Sequence, residues 1–395
     1  MARYQNRNAG TSKTTDQGTV RIERAGMSRR QFIRMGTLAG VSIPALSLLA
    51  AACGSSSTAT TTLAAGAIPG KPDKIIVRTW GDPWKSTYAD GAGASFTAKT
   101  GIPVEFDVTG FSEIQTKVQQ AVAAGQRPPV DAVLTIEERA FAAAAQGISV
   151  SMDRDILSNL SQLSSVALPA NGGTNYVSAS TYSQPLVYAP DRADLKAGMS
   201  WGDIWDSKYE GRLFVTDTPS SLLMPVAAML GLDVETDDLQ PVWDKIAELR
   251  PNIAATGDEE EFLSGIDGGE FDVGITLAAT ALEAEGLKWV TPKEGSTVST
   301  EAFWVPTGLP EETTYWTQVF INETLAAQNQ TLIALNLGEV PTNLGASLPA
   351  FMLDDPATFP FTEEDIDKYA LVFPVEAGAR NNDEWQAAYT AAIQG

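Results

Sequence analysis

The chain has no histidine. Histidine triads, imidazole general bases and histidine-ligated metal sites are therefore excluded. Cysteine is almost as scarce. Cys53 stands alone in 395 residues, so no intrachain disulfide can form, and outside that position there is no thiol nucleophile. No GxxxxGK[ST] phosphate loop occurs. Positive charge is also thin: 27 Lys and Arg face 49 Asp and Glu. Residues 1–53 hold 8 of the basic and 2 of the acidic residues, which leaves 19 against 47 and a net charge of −28 beyond them. Such a surface does not bind nucleic acid or an anionic membrane, and at long range it favours cationic solutes.

What basic residues there are begin with a signal. In SRRQFIRMGTLAGVSIPALSLLAAACG, Ser28 to Gly54, Arg29 and Arg30 precede an uncharged run of 18 residues from Met35 to Ala52. A positive start, an apolar middle and small residues at the end have the layout of an export signal, and Gly36, Gly40 and Pro44 dilute the run below a membrane span. Ser28, Arg29, Arg30, Phe32, Ile33 and Arg34 resemble the twin-arginine consensus, which directs folded cargo outward. Leu49 to Cys53 resembles a lipobox, with Ala50 where leucine is usual, so Cys53 is expected to carry lipid. Cleavage by an ordinary signal peptidase after Ala50-Ala51-Ala52 is the alternative, and translation can start at Met1 or Met27. Residues 54–72 are small, nearly uncharged and without an apolar face, the composition of a flexible tether.

From residue 73, strand-like and helix-like segments alternate, which predicts a parallel α/β architecture. KIIVRTW, IPVEFDVTG, VDAVLT, RLFVTD, FDVGITLA, KWVTP and EAFWVP read as strands. Asp82 and Pro83, and again Thr218 and Pro219, suit helix starts, and Gly101 suits a helix end. TTYWTQVFINETLAAQNQTLIALNLG reads as one long helix, and a last helix spans about Asp383 to Ile393. Asp258 to Phe262 reads as a solvated helix start, and Asp267 to Asp272 as a turn, lacking the spacing of a calcium loop. A chain of about 340 residues beyond the leader is expected to form two lobes. Ligands in such folds sit beyond the carboxyl ends of strands. That rule selects Trp80, Thr135, the stretch from Asp217 to Ser221, and the TLAAT segment.

Three segments carry a family resemblance: SWGDIWDSKYEGRLFVTD (Ser200 to Asp217), WVTPKEGSTVSTEAFWVP (Trp289 to Pro306) and LGEVPTNLGA (Leu337 to Ala346). They resemble the extracellular solute-binding proteins of ABC importers, within them the spermidine/putrescine-binding group. The resemblance implies an α/β type II periplasmic-binding-protein fold of two lobes closing on a solute in the cleft between them. It implies no cofactor, no metal and no catalysis, and as partners a small polar solute and ABC permease subunits, with a monomeric receptor tied to the membrane through lipid. One lobe is expected over 73–181 plus 298–345, the other over 182–297 plus 346–395.

The resemblance also supplies site residues. Trp80 falls on a family aromatic that packs on the ligand, and Glu301 on a carboxylate that pairs with an amine. Two other family carboxylates fall near Thr218 and Ser221, and two aromatics near Leu277 and Ser299. Thr135 and Tyr182 lie near the first crossover. With one cleft carboxylate left, a long polycation would lack partners for its charge, so a smaller solute is expected, its amine on Glu301 and its carboxylate or hydroxyl on Thr218 and Ser221. A secreted hydrolase working through paired carboxylates, or a sensor without a permease, are the competing readings.

Overall fold

The computed structural model describes residues 68–169 and 171–395, so Arg29, Arg30, Cys53 and residues 54–67 of the tether lie outside the described residues. Seven strands form the larger sheet: β1 (Ile75–Arg78), β2 (Val104–Asp107), β3 (Ala132–Ile136), β4 (Val177–Gln184), β10 (Ser296–Trp304), β11 (Val340–Pro341) and β12 (Ala370–Val372). Five form the smaller: β5 (Leu186–Tyr188), β6 (Leu213–Thr216), β7 (Ile253–Gly257), β8 (Val273–Ile275) and β9 (Lys288–Val290). The orders are β11-β4-β10-β3-β1-β2, with β12 beside one end of β10, and β7-β6-β8-β5-β9. β2, β1 and β3 run parallel, while β10 runs antiparallel to both β3 and β4.

Each sheet has its own core. In the larger lobe Ile75, Val77, Leu134 and Phe303 pack against Phe96 and Phe320. In the smaller, Leu213, Val215, Val273 and Ile275 pack against Trp201, Trp385 and Tyr389. The chain crosses from one sheet to the other at Pro185, between β4 and β5, and returns through 291–295 between β9 and β10. Residues 182–184, 296–297 and 370–372, expected with the smaller lobe, are therefore strand residues of the larger sheet. The tail serves both lobes: β12 extends the larger sheet, and the helix Val375–Gln394 then lends Trp385, Tyr389 and Ile393 to the smaller core.

Local differences from the sequence reading have physical causes. The expected long helix is two, Glu311–Thr324 and Ala327–Asn336, because Ala326 is extended. The carbonyls freed at the break are taken by side chains: Asn329 donates to Glu323 O, Gln330 to Thr324 O and Asn343 to Leu325 O. The last helix starts eight residues earlier than expected, at Val375. Thr218 does not cap the helix Ser220–Leu230 through its side chain; Pro219 occupies the cap position. Asp258, in contrast, caps the helix Glu259–Gly268 in a reciprocal box with Glu261.

Candidate functional site

A cleft of about 690 Å³ opens between the lobes. Its floor comes from the larger sheet. β1 ends in the loop bearing Trp80, and the helix Trp84–Tyr88 follows at once, so both indoles face the opening. β10 contributes Glu301 at a bulge between Glu301 and Ala302, a kink that re-aims side chains at a sheet rim. β4, paired alongside, contributes Tyr182 and Gln184. Glu339 enters from the loop just before β11. The facing rim of the smaller lobe is Thr218, Pro219 and Ser220 at one helix start and Asp258, Glu259 and Glu260 at another. The C-terminal helix closes a third side with Asn382, Trp385 and Gln386, the last donating to Asp217 O at 2.9 Å.

Two carboxyls dominate the floor. Glu339 is 2 % exposed and held by Trp84 Nε1 at 2.9 Å and Ser180 Oγ at 2.6 Å. Glu301 is 5 % exposed, and its Oε2 is buried without a hydrogen-bond partner, as is Trp80 Nε1. Burial, reinforced by the charge of Glu339, pushes the Glu301 carboxyl well above the usual carboxylate range, against the pull of the two indoles and of Arg78. Arg78 is itself buried. Its Nε and Nη1 donate to Thr109 O and Leu134 O, its guanidinium lies 4.1 Å from the centroid of the Trp80 ring, and desolvation lowers it to about 10. Glu138 adds a third carboxyl, raised by burial, with Oε2 also unpartnered. Among the described residues lining the cleft, Arg139 is the one basic residue.

Of the residues selected from sequence, Trp80, Tyr182, Thr218, Pro219, Ser220, Glu301 and, from the TLAAT segment, Leu277 line the cleft together. Thr135, Ser221 and Ser299 stand behind it. Thr135 is buried in β3 opposite Ala302. Ser221 is fully buried, donating to Thr218 O at 2.9 Å and 2.8 Å from the Tyr389 hydroxyl. Ser299 pairs with Tyr182 across β10 and β4 and is buried. The reading that only one carboxylate remains in the cleft is corrected. Glu138 and Glu339 are there too, and the acidic cap at Asp258 to Glu260 faces them. Sequence reasoning missed Glu339 because nothing marks it locally except its place after Gly338 in a family segment. It missed Glu138 because a glutamate in a first helical turn reads as dipole pairing.

A family model described as bacterial extracellular solute-binding protein matches residues 91–360. The spermidine/putrescine-binding periplasmic protein of Escherichia coli K12 is 24% identical over 242 residues, 56% of this chain and 66% of that protein. The chain thus spans about two-thirds of the length of the curated relatives it matches. Among solved structures, the spermidine/putrescine ABC transporter substrate-binding protein PotD of Streptococcus pneumoniae superposes with a TM-score of 0.66 at 20% identity, over 82% of this chain and 100% of that one. The protein AgtB of Agrobacterium tumefaciens, solved with agropinic acid, gives 0.61 at 17% identity, over 82% and 99%. At such identities the likeness speaks for the type II periplasmic-binding-protein fold.

Proposed function

Since this chain belongs to the bacterial extracellular solute-binding proteins, we propose that its cleft captures a small organic cation, an amine or polyamine, outside the membrane and delivers it to an ABC permease. The observation that carries this reading is the pair of buried carboxyls, Glu301 and Glu339, set among Trp80 and Trp84 in a cleft lined by six acidic residues and one basic. An ammonium group leaving water needs a carboxylate and gains from an aromatic face; this floor offers both. The relatives named for spermidine and putrescine support the same class.

In this reading Trp80, Tyr182, Glu301 and Glu339 contact the solute, Thr218 meets it from the smaller lobe on closure, and Ser221, Ser299 and Thr135 are framework. The lobes hinge at Pro185 and residues 291–295. Arg29 and Arg30 direct twin-arginine export, Cys53 carries the lipid that holds a monomeric receptor at the outer face of the membrane, and residues 54–72 tether it. Among the described residues no helix is long and apolar enough to cross a membrane.

Thermal shift and calorimetry with putrescine, spermidine, γ-aminobutyrate, alanine and a neutral sugar test the reading. Amines are expected to raise the melting temperature by mass action, and the sugar to leave it unchanged. Glu301→Gln is expected to weaken amine binding by tenfold or more, about 1.4 kcal/mol or above. A flat response to every amine would sink the reading.

A further inference from the structure

The cation in the cleft lining, Arg139, has its hydrogen-bond donors uncommitted. It lies in the first turn of the helix Glu137–Ala145, just beyond the end of β3. Every other arginine among the described residues donates a hydrogen bond to a carbonyl or a carboxylate, as Arg78 does to Thr109 O and Leu134 O and Arg212 to Asp272. Among the described residues the Arg139 guanidinium makes neither a hydrogen bond nor an ion pair; it rests on the ring of Phe111, 5.2 Å from the centroid. Phe111 also lines the cleft and meets Trp80 edge to face at 6.0 Å. Stacking engages the face of a guanidinium and leaves its edge, where the N–H donors lie, open to a planar acceptor. Glu138, the chain neighbour of Arg139, feels its charge but keeps an unpartnered Oε2.

The sheet sets the opposite charge close by. Glu301 pairs with Ile136 across β10 and β3, and Arg139 follows Ile136 by three positions. Paired Cα atoms stand ~5 Å apart and three helical residues rise about 4.5 Å, so the two backbones are separated by roughly 10 Å. Arg78 acts on Glu301 through the interior, yet its Nε and Nη1 donate to carbonyls, and the Oε2 of Glu301 is left without a hydrogen-bond partner. We propose that Arg139 is a second anchor that selects the class of amine: the solute is an amino carboxylate, its ammonium on Glu301, its short chain along Trp80 and its carboxylate on the Arg139 fork. The inference rests on the proposed amine function and narrows it. A second ammonium at that end would meet the like charge of Arg139. A carboxylate there gains a bidentate, charge-assisted pair, and the zwitterion as a whole carries no net charge for the acidic rim to repel.

Butylamine, γ-aminobutyrate and putrescine share an ammonium group and a four-carbon chain and end respectively in a methyl, a carboxylate and a second ammonium. Each is titrated calorimetrically into the full chain at pH 7. In the parent, γ-aminobutyrate is expected to bind about tenfold tighter than butylamine, or more, because a charge-assisted pair replaces a methyl group. Arg139→Gln is expected to weaken γ-aminobutyrate by a similar factor and to tighten putrescine, opposite shifts that a merely structural loss does not produce. Arg139→Lys, which keeps the charge without the fork, is expected to bind γ-aminobutyrate with an affinity between the two. If the parent binds γ-aminobutyrate no tighter than butylamine, or if Arg139→Gln weakens both equally, the inference is overturned while the amine reading stands. If the parent binds none of the three, the amine reading falls and the inference with it.

Discussion

At the scale of single residues, the larger lobe holds a further unusual carboxyl, outside the solute-contacting set. Glu137 is 8 % exposed and accepts a hydrogen bond from Thr300 Oγ1 at 2.5 Å, while Thr300 in turn lies 2.8 Å from Ser178 Oγ. Desolvation outweighs the bond from Thr300, and the charge of Glu138 adds to it, so the carboxyl is raised to about 7. Its folded value lies above its unfolded one. The stabilisation from holding it neutral is therefore complete below about pH 4.5 and disappears as the pH climbs to about 7. Glu137→Gln removes this penalty. It is expected to unfold at higher denaturant than the parent at pH 8, by up to about 3 kcal/mol, and to show no such gain at pH 4. Equal differences at the two pH values would assign the effect to packing rather than ionisation.

At the scale of elements, the strands and helix starts of the α/β alternation were legible because their apolar runs and glycine stops are local. KIIVRTW, VDAVLT and RLFVTD each contain a strand of the structure. β4 was not legible, since VSASTYSQ has the composition of a loop. It is buried because its hydroxyls find partners across the sheet, Ser178 on Thr300 and Ser180 on Glu339, and such pairing is invisible without the neighbouring strands. The same limit hid half of the site. Glu301 was found through a family segment, but its meaning depends on Glu339, 38 positions later, and on Trp84, 217 earlier. The return crossover carries a further constraint. Gly295 adopts φ +96°, its carbonyl accepts from Trp201 Nε1 at 2.7 Å, and a Cβ there would stand 2.4 Å from the backbone oxygen of Tyr369. Gly295→Ala is therefore expected to destabilise by about 1–3 kcal/mol or more, seen as a lowered Tm, because both a left-handed backbone and a fixed carbonyl oppose it. An unchanged Tm would mean that β12 yields freely at this point.

At the scale of the whole molecule, charge and cleft point the same way. A net charge of −28 beyond residue 53 surrounds an opening rimmed by Asp258 to Glu260. The association rate of putrescine, measured by stopped-flow tryptophan fluorescence, is expected to fall several-fold as ionic strength rises from about 0.01 to about 0.15 M, as the screening length shrinks from about 30 to about 8 Å. A rate indifferent to salt would show that the field of the molecule does not steer the solute. The tail that supplies β12 and then Trp385 and Tyr389 also has a consequence in time. The smaller sheet is complete once Val290 has been made, yet its core waits for Tyr389, about a hundred residues later, and the larger sheet waits for Val372. At ~5–20 residues per second, the ribosome needs on the order of ten seconds to add that stretch. Neither lobe can finish folding before those residues have been made. If the address at Arg29 and Arg30 works as proposed, it emerges long before there is a native body to carry, and a route that takes folded cargo must hold the chain until the helix Val375–Gln394 has docked.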